Sequence, residues 1–94
     1  MLTYKAMYKN VEGGVHAEVL DFPGVISFGA TLEEARRMLA SALVDMAETN
    51  LLHGEALPKP NPSISDVDAD LEAPIHLILK AASGVTVEPD PAAA

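Results

Sequence analysis

The chain has 94 residues, enough for one domain, because two cores would leave each too small to be stable alone. Hydrophobic residues make up 49% of it, yet with two Phe, two Tyr and no Trp the core has to be mainly aliphatic. The formal net charge of −8, from 14 acidic and 6 basic residues, repels phosphate; it argues against unaided binding of DNA or RNA and favours a basic protein as partner.

There is no cysteine, which excludes disulfides, thiol catalysis and thiolate metal sites and suits a reducing cytoplasm, the expected location. The first nine residues alternate and lack the continuous apolar stretch of a signal peptide. No apolar run approaches the roughly 18 residues a membrane helix needs.

Leu2, Tyr4, Ala6 and Tyr8 alternate with Thr3, Lys5, Met7 and Lys9, the period of a half-buried strand. Gly13-Gly14 supplies the positive φ angles of a hairpin reversal. A second strand follows, with Val15, Ala17 and Val19 alternating with His16 and Glu18. Asp21-Phe22-Pro23-Gly24 is a turn, and Val25 to Gly29 a short third strand. Strands so closely spaced predict an antiparallel meander.

Thr31-Leu32-Glu33-Glu34 is a capping box in which the Thr31 hydroxyl accepts from the Glu34 amide and the Glu34 carboxylate reaches back to the Thr31 amide. Leu32, Ala35, Leu39, Ala42, Leu43 and Met46 follow the spacing of one buried helical face. The helix is expected to run to Leu52 or His53, with Gly54 as its left-handed stop. Leu57 to Pro62 holds three prolines and reads as an extended connection. Ser63 to Glu72 reads as an exposed acidic loop, and Pro74 to Lys80 as the fourth strand.

The order is therefore β-β-β-α-β: an α+β, partial ribonuclease-H-like architecture with a three-stranded meander, a fourth strand, and one helix on one face. Residues 1–81 form the domain and 82–94 a flexible acidic tail, with Val85 to Val87 as a weak fifth strand. The apolar residues left over for the sheet's other face point to a homo-oligomer.

Chemistry is sparse. The three histidines, His16, His53 and His76, have no metal-ligand spacing. Asp66, Asp68 and Asp70 open like a calcium loop, but Leu71 stands where the turn glycine belongs and Leu77 where the chelating glutamate belongs. Asp21, Glu34 and Asp45 would be the carboxylates of a two-metal nuclease, but Glu34 is committed to capping. There is no nucleophile elbow, phosphate-binding loop or helix-turn-helix. No enzyme activity, metal or cofactor is expected.

Tyr4, Gly13-Gly14, Asp21-Phe22-Pro23-Gly24, Gly29, Thr31-Leu32-Glu33-Glu34-Ala35, Gly54 and Pro58-Lys59-Pro60 stand in an order that resembles the HicB-like antitoxin family, from about Leu2 to Pro62. The resemblance implies binding and neutralisation of a small, basic, RNA-cleaving toxin of the HicA type. It also implies association through the sheet domains. The DNA-binding module that many such antitoxins carry has no counterpart here. The candidate contact residues for a basic partner are Asp66, Asp68, Asp70 and Glu72, clustered and acidic. The alternative is an orphan homo-oligomeric HicB-like domain with another protein-binding role.

Overall fold

Alternation of large apolar and polar side chains sets the first strand, β1 (Leu2–Val11), and the hairpin returns it as β2 (Gly14–Val19). The computed structural model describes residues 1–80 and 84–89. Then come β3 (Ile26–Gly29), the 21-residue helix α1 (Leu32–Leu52), β4 (Leu71–Lys80) and β5 (Gly84–Pro89). The fold is α+β: one five-stranded sheet in the order β3-β2-β1-β4-β5, with every neighbouring pair antiparallel and one helix against it.

Register divides the sheet into two faces. Tyr4, Ala6 and Tyr8 lie beside Ile75, Ala73 and Leu71 on β4, while Ala6 and Tyr8 lie beside Val19 and Ala17 on β2. On this face the buried strand residues meet Ala35, Leu39, Leu43 and Ala47 of α1, each 0% exposed. Leu32, Ala42 and Met46 of the expected stripe pack at its margin. Tyr4 leans on Phe22 with ring centroids 5.3 Å apart and planes at 59°, a tilted geometry that aromatic quadrupoles favour.

The turns refine the sequence reading. Only Gly13 has a positive φ in the hairpin (86°); Gly14 is glycine for space, because a Cβ there would come within 2.6 Å of the Phe28 ring. The second turn is framed one residue later than expected. The Val25 amide donates to Phe22, so Pro23 takes the second position and Gly24, at φ 93°, the third. Thr31 caps α1 by accepting from the Glu34 amide at 3.1 Å, while the Glu34 carboxylate reaches the Ala30 amide instead of that of Thr31. The helix ends at His53 with Gly54 at φ 69°, as its sequence predicts.

The largest differences come after the helix. β4 begins at Leu71, three residues before Pro74, so that Glu72 belongs to a strand and not to the loop. Pro74 is tolerated inside the sheet because its partner Lys5 turns its own backbone groups the other way, toward Leu20 and Asp21. The missing Pro74 N–H then points past the end of β5, whose pairing stops at Ile75–Pro89. Gly84–Pro89 forms a full edge strand, longer than the weak strand expected at Val85 to Val87 within the tail. Residues 81–83 and 90–94, the first of them read as the end of the domain and the rest as tail, lie outside the described residues.

Candidate functional site

The proline connection does more than link α1 to β4. The Tyr4 hydroxyl, on the helix face, donates to the Pro58 carbonyl at 2.7 Å. The Lys5 ammonium, on the opposite face, donates to the carbonyls of Ile64 at 2.7 Å and Pro62 at 3.3 Å. The chain therefore passes through the plane of the sheet between these points, beside the first residues of β1, where β2 has already turned away. Asp21 holds it there. Its carboxylate, 8% exposed, accepts from the Lys5 amide at 2.8 Å and the Asn61 amide at 2.9 Å. The sequence weighs Asp21 with Glu34 and Asp45 as nuclease carboxylates and sets that reading aside; the structure commits Asp21 to two backbone donors.

Beyond the crossing, residues 62–70 fold back over the face away from the helix. Glu72, projecting there from β4, accepts from the Asp66 amide at 2.8 Å and the Ser65 hydroxyl at 3.0 Å, with Lys5 3.9 Å away. These hydrogen bonds, the amide first, hold its carboxyl below the ordinary value. Asp66 accepts from the Asp68 amide at 2.9 Å, an Asx turn that shapes the tip. Asp70 closes the loop: its carboxylate accepts from the Asn10 amide and its own amide donates to Tyr8.

The four acidic residues singled out from sequence are thus brought into one loop, but in unequal roles. Asp66, Asp70 and Glu72 each hold the loop in shape. Asp68 is exposed, with no bond from its carboxylate among those described. Between Asp66 and Asp68 stands Val67, 98% exposed, an apolar tip flanked by carboxylates that sequence reasoning did not single out. A lone valine in an acidic run carries no sequence signal of its own.

The same fold-back answers what covers the sheet's second face. Met7 lies there between Glu18 and Glu72 and is 2% exposed, so the chain itself covers the centre of that face. The expectation that a partner subunit must cover it does not hold at that position. Beside the crossing is a groove of about 330 Å³, lined by Tyr4, Lys5, Asp21, Asn61, Glu72 and Pro74 among others. Its cation is already engaged by carbonyls and its carboxylates by amides, which leaves little unmet polarity for a ligand.

The histidines stay apart: His16 contacts Glu18 at 3.1 Å, His53 lies 3.7 Å from Glu55, and His76 contacts Thr3 at 3.0 Å. Among the described residues no group of three or more His, Asp or Glu side chains could hold a metal ion. No helix among them is long and apolar enough to cross a membrane. A family model described as UPF0150-like matches residues 3–58, from β1 through the helix to the start of the proline crossing. No curated protein and no solved structure matches the chain.

Proposed function

The chain belongs to the UPF0150-like family, and on that premise we propose that it is an antitoxin-like binding protein of HicB type. Its function is to neutralise a small basic RNA-cleaving protein of the HicA type by covering that protein's RNA-binding face. The observation that carries this reading is the loop around Val67. On a chain of net charge −8, it presents Asp68 and the apolar tip outward from a frame fixed by Asp21, Lys5 and Glu72.

Such a loop suits a phosphate-binding enzyme as its target. Cations that hold RNA phosphates are met by carboxylates, and a small apolar tip adds burial where the two surfaces close. Preorganisation matters here, since a loop already held by its own hydrogen bonds loses less freedom on binding. The chain acts by occlusion, with no catalysis and no cofactor, in the cytoplasm.

The test is inhibition of RNA cleavage by a small basic protein of the HicA type. Stoichiometric addition of the purified chain is expected to stop cleavage. Asp68→Asn is expected to slow association a few-fold at low salt while the melting temperature stays unchanged. Uninhibited cleavage at excess chain would refute the reading and leave the orphan protein-binding domain in its place.

A further inference from the structure

We propose that the open edge of β3 takes up an extended segment of a basic protein as an added antiparallel strand. Lysine or arginine side chains of that segment lie across Ile26 and Phe28 toward Glu18. The proposal stands whether or not that protein cleaves RNA.

The backbone sets the edge. The Leu20 amide donates to Lys5, which places Glu18 and His16 in hydrogen-bonded pairs with Met7 and Lys9 of β1. Val15, Ala17 and Val19 therefore turn their backbone groups to β3, as the bond from the Val19 amide to the Val25 carbonyl shows. Ser27 and Gly29 answer them from β3. The N–H and C=O groups of Ile26 and Phe28 thus point outward, along an edge that no other strand of the described sheet meets. Edge strands that stay single are usually blunted by charge, proline or a bulge. β5, at the other edge, ends in Glu88 and Pro89, whereas β3 reads Ile-Ser-Phe-Gly and pairs with β2 without interruption. A row of outward backbone donors and acceptors fits extended chain.

The side chains around the edge select the chemistry of that chain. On the face away from the helix, Ile26 is 54% and Phe28 50% exposed. Beside Ile26 in the register stands Glu18, partly exposed, with His16 3.1 Å from its carboxylate. Lys9 lies two strands in from the edge, beside His16. An added strand would run two strand spacings from β2, about 10 Å. A lysine or arginine closes that gap to Glu18 while its aliphatic stem covers Ile26. An arginine over the Phe28 ring gains a cation–π contact as well. Just past Gly29, α1 opens with Glu33 and Glu34, so carboxylates border that end of the edge too.

The other face of the added strand meets apolar surface. A Cβ on Gly29 would run into Ala35, and one on Gly24 would meet the Met46 methyl, so α1 runs alongside β3 over that length. Met38, 50% exposed, lies between these points. It is on the flank away from Ala40 and Val44, which border a groove with Val87 of β5. The segment that fits therefore alternates, with cations on one face and apolar side chains on the other. A second copy fits poorly here, because it brings its own Glu18 and a net charge of −8 to an edge already bordered by carboxylates.

The probe is a synthetic peptide of about six residues, the length of an ordinary strand, with lysine and valine in alternation and both ends capped. Its binding to the full chain is followed by amide NMR. The Ile26 and Phe28 amides are expected to shift most. A peptide with glutamate in place of lysine is expected to bind roughly tenfold more weakly, and Glu18→Lys to weaken the lysine peptide roughly fivefold. The amide spectrum of Glu18→Lys away from the edge reports that the variant is folded. Residues opposite Ile26 and Phe28 in an antiparallel pair exchange both backbone bonds with them, and on this face they are the lysines. N-methylation of the lysine amides is therefore expected to abolish binding, whereas N-methylation of the valine amides is tolerated.

Ile26 and Phe28 amides that stay unmoved at millimolar peptide would overturn the proposal. Equal binding of the glutamate peptide or of the lysine-methylated peptide would do the same. Shifts confined to the loop around Val67 would give the cations to that surface and overturn it equally. So would concentration-dependent shifts of the same two amides without peptide, which would mean that a second copy holds the edge. The peptide has no activity, so failure here is distinct from failure of the cleavage test.

Discussion

Asp21 is the residue on which the far half of the chain depends. Its carboxylate satisfies two backbone amides that come from segments 16 and 40 residues away, Lys5 and Asn61. Asp21→Ala leaves both donors unpaired in a part-buried place, and a loss of about 2 kcal/mol is expected in urea unfolding. Faster amide exchange at Asn61 should accompany it, and an unchanged urea midpoint would contradict the clasp. Nothing in the local sequence gives this role away, because the Asp-Phe-Pro-Gly string reads fully as turn chemistry. The other end of the clasp lies 40 residues on, in a segment whose composition signals only a connection.

Glu72 makes a pH-dependent contribution of defined sign. The Asp66 amide, then the Ser65 hydroxyl, favour its charged form, so its folded pKa lies below the ordinary 4.5. A depressed carboxyl stabilises the fold above its unfolded value, and that stabilisation is lost as pH falls through 4.5 toward the folded value. Glu72→Gln is therefore expected to lower stability at neutral pH and to flatten the acid side of the profile, so that the two proteins converge as pH falls. Acid titrations that superimpose for the two proteins would remove Glu72 from the account. Tyr4 and Tyr8 act at the alkaline end. Burial raises both phenols above 10.0, with Asp21 adding to the rise at Tyr4 and Arg36 opposing it at Tyr8. Stability is then lost as pH climbs beyond 10.0, and phenolate absorbance should appear together with unfolding rather than ahead of it.

Among the elements, α1 is the most legible from sequence. Its cap, apolar stripe and glycine stop are all local signals, and they place the helix from Leu32 to Leu52. Its approach to the sheet is set by a residue outside it. A Cβ on Gly29 would fall 2.3 Å from the Ala35 amide nitrogen, so only glycine lets β3 pass under the first turn of the helix. Gly29→Ala has to push the two apart, and a cost of about 2–3 kcal/mol in thermal or urea unfolding is expected. A neutral result would mean that the contact yields freely. The strands after the helix were less legible for a physical reason. Leu71 and Glu72 look like loop because an acidic run precedes them and a proline follows, and their pairing with Tyr8 and Met7 is visible only in the folded register. β5 was weaker still, since Gly84 and Pro89 bracket only four residues of strand-like sequence between them.

At the scale of the described molecule, two surfaces of unlike character stand out. The acidic loop and its exposed Asp68 and Val67 lie at the end of β4, while the open edge of β3 closes the opposite side of the sheet. The loop is the surface on which the proposed basic partner would be met. Composition alone pointed to a basic partner and to a homo-oligomer. It could not assign them to surfaces, because the fold-back that covers Met7 and exposes Val67 rests on bonds between distant segments. Binding of a basic partner should weaken steeply with added salt.

Neutralisation of a basic RNA-cleaving protein is the proposal that most needs testing, and co-expression is the sharpest check on it. The chain is produced together with a small basic RNA-cleaving protein of the HicA type, growth is followed, and the complex is recovered on a tag. Growth is expected to be rescued, and the two proteins are expected to co-purify at low salt. Growth arrest that persists with the folded chain present at excess, and no co-purified partner, would contradict it.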